Sequence, residues 1–149
     1  MSTALVSASS SFVPPQIEGA NFLNLMIIDD ERAIREVCKE VAQSMGFNSC
    51  VADSAEHGYR MLETQNIDVV LLDLKLPKVD GLEVLKEIRG NSALTTLPVV
   101  MLTSSSRRSD LEAAYKSGAN SYLIKSTDFL RFKRDIEQMG RYWLGVNQA

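Results

Sequence analysis

The sequence is short of cysteine, of basic clusters and of long apolar runs, and each shortage removes a class of protein. Its two cysteines, Cys38 and Cys50, show no framework spacing. That excludes a disulfide scaffold and points to buried thiols in a reducing compartment. A formal charge of −3 without a basic run leaves no electrostatic footprint for nucleic acid or for a membrane surface. No apolar stretch approaches membrane-spanning length. Residues 1–21 are rich in serine and alanine but carry no basic segment ahead of an apolar one. They read as a flexible tail rather than a secretion signal, with Phe12, Ile17 and Phe22 placed to touch the domain. No Gly-x-Gly-x-x-Gly follows the first apolar run, which excludes a dinucleotide-binding protein. The expected location is the cytoplasm. The single histidine, His57, falls on a predicted helix away from the acids and receives no role.

What is present is an ordinary globular composition arranged in alternating segments. The apolar runs Leu25–Ile28, Val69–Leu72 and Pro98–Leu102 lack the polar alternation of a half-exposed strand and predict strands buried on both faces. Phe47–Ala52 is a weaker strand, and Ser121–Ile124 a fifth. Between them lie helical patterns. Ile34, Val37, Cys38, Val41, Ala42 and Met45 recur at helical spacing, with Gly46 closing the turn. Ser54 caps a helix that turns Ala55, Tyr59 and Leu62 inward. Asp80 caps one facing Leu82, Leu85 and Ile88 to the core. A helix near 107–117 presents Leu111, Ala114 and Tyr115. The last, near 127–144, carries the stripe Phe129, Phe132, Ile136, Met139 and Trp143. Five strands alternating with five helices predict an α/β fold, a doubly wound parallel sheet with helices on both faces. The domain spans 22–149, and the residues after Lys125 are consumed by one helix, so no output domain is expected.

In such a sheet every strand's carboxyl end lies on one edge, where ligands bind. That edge collects Asp29 and Asp30, Asp73, Thr103 and Lys125. Singly, each has a plainer reading: Asp30-Glu31 and Thr103 as helix caps, Asp73 as a turn residue, Lys125 as a solvated charge. Together they pose a physical problem, because clustered carboxylates raise one another's pKa unless a cation joins them. A hard divalent ion such as Mg²⁺ answers it, taking one or two carboxylates with waters and phosphate oxygens. Carboxylate, metal, lysine and hydroxyl form an inventory for phosphoryl transfer, with Asp73 as nucleophile.

The Asp29-Asp30 pair, Asp73 ahead of Pro77-x-x-Asp80-Gly81, Thr103 after an apolar strand and Lys125 after Tyr122-Leu123-Ile124 resemble the receiver domain of bacterial response regulators. The likeness covers about Leu25 to Leu144. It implies the strand order 2-1-3-4-5 and a (βα)5 flavodoxin-like fold. It implies that Asp73 accepts a phosphoryl group from a histidine kinase or phosphotransfer protein. Asp30, Asp73 and the backbone carbonyl of Lys75 would bind Mg²⁺, with Asp29 reaching it through water. Thr103 and Lys125 would contact phosphoryl oxygens, and Thr103 with Tyr122 would form the switch. Lys75 and Ser105 fall at family positions that modulate hydrolysis. Ser126 departs from the proline, in a cis peptide, that usually follows the lysine. The Lys125-Ser126 junction, Phe132 and Tyr142-Trp143-Leu144 are similar to stand-alone receivers that partner phytochrome-type kinases and pair through their last strand and helix. Leu130, Tyr142 and Leu144 lie off the stripe and, rimmed by Arg131, Arg134 and Arg141, offer an apolar surface for a homodimer.

Two other readings compete. An aspartate-nucleophile phosphohydrolase of the haloacid dehalogenase type needs Asp-x-Asp after a strand, and Asp73-Leu74-Lys75 puts lysine at the second place. A pseudo-receiver binding module would be expected to lack one of the acids or Lys125, and none is missing.

Overall fold

The computed structural model describes residues 22–148; the tail reading for 1–21, with Phe12 and Ile17, lies outside them. Five strands alternate with five helices: β1 Asn24–Ile28, α1 Arg32–Ser44, β2 Asn48–Ala52, α2 Ala55–Thr64, β3 Val69–Asp73, α3 Gly81–Gly90, β4 Val99–Thr103, α4 Arg108–Lys116, β5 Ser121–Ile124 and α5 Phe129–Gln148. All four strand pairings are parallel, in the order β2-β1-β3-β4-β5. Both the expected order and the doubly wound class are therefore present.

Strand alternation divides the core into two layers. Leu25, Ile27, Val69, Leu71, Val100 and Leu102 pack with Cys38 and Val41 of α1 and with Phe132, Ile136, Met139 and Trp143 of α5. Met26, Ile28, Val70, Leu72, Val99 and Met101 face the other way, toward Ala55 of α2, Val84, Leu85 and Ile88 of α3, and Ala114 of α4. β3 and β4 are buried at every residue, as continuous apolar runs require. The helix boundaries carry the expected devices. Ser54 Oγ accepts the His57 N–H, Asp80 Oδ1 accepts the Leu82 N–H, and Gly46 stands at φ +92° after α1.

Several inward assignments shift. Leu82 and Leu62 are only half-buried, and Val84 takes the deep place on α3. Tyr115 is 50% exposed and Phe129 53% exposed, so neither joins the core. Phe129 is the first residue of α5, where the helix has not yet reached the sheet. Leu144, expected outside, packs against the α1/α5 layer. The Lys125–Ser126 peptide is trans.

Two polar devices hold the loops that frame the carboxyl edge and its opposite end. At the far end, the Arg89 guanidinium donates to the carbonyls of Gly118 and Leu97 at 2.9 and 2.7 Å and to Asn120 Oδ1 at 2.7 Å. Asn120 Oδ1 also accepts the N–H of Val99, so one arginine ties α3 to the start of β4 and to the turn between α4 and β5. At the carboxyl edge, Gly81 N–H donates to Leu74 O at 2.8 Å, and the chain doubles back on itself between Lys75 and Asp80. A Cβ on Gly81 would collide with the backbone oxygen of Asp73 and come within 2.9 Å of Leu74 O. Backbone cannot move aside as a flexible side chain can. Gly81→Ala is therefore expected to cost about 1–3 kcal/mol by overpacking and to displace the end of β3. Urea midpoints and the amide shifts of Asp73 and Leu74 would read both effects; an unperturbed Asp73 amide would show that the turn gives way elsewhere.

Candidate functional site

The five expected site residues meet at the carboxyl edge. β1 ends at Ile28, so Asp29 and Asp30 leave the sheet beside Asp73, the last residue of the neighbouring β3. Thr103 ends β4, and Lys125 follows β5, its N–H donating to Thr103 O at 2.7 Å. Asp29, Asp73 and Thr103 are buried, whereas Asp30 is exposed.

Lys125 is the centre of the cluster. Its Nζ lies 2.8 Å from Asp29 Oδ2, 2.9 Å from Glu31 Oε1 and 3.1 Å from Asp73 Oδ1. The other Asp29 oxygen accepts the N–H of Glu31 at 2.8 Å, and Asp73 Oδ1 also accepts the N–H of Lys75 at 3.1 Å. Burial raises the Asp73 carboxyl to about 7, and the negative charge of Asp29 adds to this; Lys125 and the Lys75 N–H oppose it. Burial likewise raises Asp29 against the pull of Lys125. For Lys125 itself burial acts downward, yet hydrogen bonds to Asp29 and Glu31, with the charges of Asp29 and Asp73, outweigh it and hold the ammonium above its ordinary range.

Glu31 was legible only as part of an acidic triplet and as a cap for the first helix. It does occupy the N-cap position of α1, but its side chain makes no capping bond; it turns to Lys125 instead. Ser105 is a second connection that spacing did not reveal. Its N–H donates to Thr103 Oγ1 at 3.0 Å, its hydroxyl donates to Asp110 Oδ2, and its carbonyl accepts the Tyr122 hydroxyl at 2.8 Å. Thr103 and Tyr122 are thus joined through Ser105, and their hydroxyls also approach each other directly. His57 pairs loosely with Asp53 at 3.6 Å.

The residues fit a hard divalent cation. Asp29, Asp30 and Asp73 each offer a carboxylate oxygen, and these lie within 4.8 Å of one another. Asp29 Oδ2 is buried, 2.8 Å from Lys125 Nζ, and like any carboxylate oxygen keeps a further lone pair that a cation could take. All donors are oxygens, the set that Mg²⁺ and Mn²⁺ take. The cluster is open on the Asp30 side. A surface cavity of about 450 Å³ lined by Tyr59, Leu62, Glu87, Ile88 and Leu94 contains none of these groups, so the chemistry is not in that hollow.

A parallel sheet in this order, with acids from β1 and β3 facing a lysine after β5, defines a receiver-type α/β domain. Residues 25–137 match the response regulator receiver domain family, and the chain belongs to it. Among curated relatives, the chemotaxis protein CheY of Pseudomonas aeruginosa is 29% identical over 118 residues, 78% of this chain and 95% of that one. The probable methanogenesis regulatory protein FilR2 of Methanothrix harundinacea is 51% identical over 81 residues, 54% of this chain. The match spans only 52% of FilR2, about half its length. Among solved structures, the phosphorylated cyanobacterial phytochrome response regulator RcpA superposes with a TM-score of 0.78 at 24% identity, over 85% of this chain and 96% of its own. The Mn²⁺-bound response regulator Rcp1 gives 0.75 at 29% identity, over 82% and 94%. No helix among the described residues is long and apolar enough to cross a membrane.

The raised Asp73 pKa sets a stability test. A carboxyl whose folded-state pKa lies above its unfolded value stabilises the fold while protonated; that contribution is complete below about pH 4 and lost as pH rises through about 7. In a chelator, Asp73→Asn is therefore expected to stabilise the protein at pH 8 by on the order of 1–2 kcal/mol relative to wild type, and by less at pH 5. Thermal midpoints at the two pH values would check it, and an equal gain at both would show that Asp73 is ionised throughout.

Proposed function

We propose that this chain is the phosphoacceptor of a two-component relay. A carboxylate oxygen of Asp73 attacks the phosphorus of a phosphohistidine on a histidine kinase or phosphotransfer protein. The P–N bond breaks, and the imidazole leaves as the aspartyl phosphate forms. One observation carries the reading: Asp73 ends the central strand, buried, crowded by two other acids and clamped by Lys125. Such a carboxylate is held in one orientation with a cation ready for the charge that arrives.

The side chains divide the work. Asp30, Asp73 and the backbone carbonyl of Lys75 would hold Mg²⁺, with Asp29 reaching it through water. When bound, Mg²⁺ neutralises the carboxylates and draws the phosphoryl oxygens into line. Lys125 neutralises a phosphoryl oxygen, and Thr103 presents its hydroxyl from the neighbouring strand. A phosphoryl group adds about 1.5 to 2 negative charges, enough to draw the Thr103 hydroxyl toward it. Ser105 relays that shift, because it touches Thr103 through its N–H and Tyr122 through its carbonyl. Receivers pass such a signal as a biased two-state equilibrium, and moving it from mostly off to mostly on takes about 5.5 kcal/mol of differential stabilisation. On this reading the protein acts in the cytoplasm, where a histidine kinase would present its phosphohistidine. The domain reading is a receiver over 22–149.

The homodimer reading moves to a different set of residues. Leu144 is half-buried in the core layer, whereas Leu130 is 71% and Tyr142 62% exposed on α5, with Ile124 41% exposed at the end of β5. We place the pairing surface on β5 and α5 around Leu130 and Tyr142, rimmed by the exposed Arg131, Arg134 and Arg141. A phytochrome-type kinase is the partner that the likeness to RcpA and Rcp1 favours.

Incubation with Mg²⁺ and a small phosphodonor should add one phosphate by intact mass, labile to hydroxylamine and absent from Asp73→Asn. The same acyl phosphate in that variant would overturn the assignment. Asp29→Ala should weaken Mg²⁺ by about tenfold and Asp30→Ala by more, the order expected of an outer and a direct ligand; superimposable titrations would remove the metal from the pocket. In sedimentation, Leu130→Glu with Tyr142→Glu should lower the dimer fraction of the phosphorylated protein while leaving phosphorylation intact. A wild type that stays monomeric with and without phosphate would assign this surface to another partner.

A further inference from the structure

We propose that Glu31 is the exchangeable holder of the Lys125 ammonium, and that it competes with phosphoryl oxygens for that cation. The proposal rests on Asp73 being the acceptor. An ammonium has three N–H donors, and three carboxylates, Asp29, Glu31 and Asp73, surround this one at 2.8, 2.9 and 3.1 Å. An arriving anion must therefore displace a partner.

The three partners are not equal. The Asp29 side chain is 0% and the Asp73 side chain 4% exposed, while that of Glu31 is 59% exposed. Leaving a buried carboxylate unpaired is costly, whereas a carboxylate open to water is resolvated at little expense. Glu31 is thus the partner that yields. Its position is also set for the task. Its N–H is held by Asp29 Oδ1 at 2.8 Å, which fixes its backbone at the pocket mouth. Its side chain forgoes the capping bond open to an N-cap residue and points to Lys125. With one donor occupied by Glu31, Lys125 holds an incoming phosphoryl oxygen less tightly than it otherwise would. Glu31 is a positioning residue: it touches neither acceptor nor phosphoryl group and acts through Lys125.

The test uses beryllofluoride, a phosphoryl mimic, titrated with excess Mg²⁺ and followed at the Thr103 amide by NMR. Glu31→Gln should lower the half-saturating concentration by about two- to fivefold, the range of one exposed ion pair, and should lengthen the life of the aspartyl phosphate to a similar degree. The Lys125 ammonium resonance should move in ligand-free Glu31→Gln, which a purely structural role would not cause. In a Lys125→Met background the Glu31→Gln effect should vanish. Equal tightening in that background would mean general charge repulsion and overturn the proposal. So would unchanged affinity with an unchanged Lys125 resonance. A wild type that takes neither beryllofluoride nor a phosphoryl group at Asp73 would instead defeat the acceptor reading itself.

Discussion

The carboxyl edge depends on one ammonium group. Asp29 and Asp73 are buried at adjacent strand ends, and two buried carboxylates side by side are tolerable only with positive charge between them. Lys125, arriving after β5 from two strands away, supplies it. The same arrangement creates reactivity. A carboxylate that burial pushes up to about 7 is poorly solvated, so a divalent cation that improves its surroundings would be favoured there. Instability in the resting state and affinity for the ligand have one origin.

The sheet is what lets five distant residues share that origin. Parallel strands place all carboxyl ends together, and the two covered faces keep β3 and β4 from solvent along their whole length. Rigidity at the edge then comes from close backbone approach. Gly81 lies so near Asp73 O and Leu74 that any side chain would push the end of β3 outward. Asp80 caps α3 from the same turn, which makes the Pro77-x-x-Asp80-Gly81 segment a support for the site although it carries no ligand.

Signal output requires a path from a buried hydroxyl to the surface. Here that path is short and polar. Thr103, Ser105 and Tyr122 connect by hydrogen bonds, and Ser105 extends the connection to Asp110 in the first turn of α4. In the proposed reading, a displacement at Thr103 would be felt by a loop, a ring and a helix together. The exposed apolar residues Tyr115 and Ile124 lie on the elements that this path reaches, α4 and β5.

Local chemistry made much of this legible in the chain itself. Continuous apolar runs ending on acids, a threonine and a lysine determined the strands, their parallel arrangement and the edge where Asp29, Asp30, Asp73, Thr103 and Lys125 gather. That follows because burial on both faces and strand direction are written in residue type and order. Tertiary structure decided what depends on distances between elements. Spacing could not show that Glu31 abandons its cap for a lysine on another strand, since both bonds are open to the same side chain. Nor could helical periodicity assign Phe129 to solvent and Leu144 to the core: a stripe defines a face, but the sheet's edges define where that face ends. The reach of Arg89 across two loops and the meeting of Ser105 with Tyr122 were likewise settled only in the folded chain, because partners far apart in sequence leave no periodic trace.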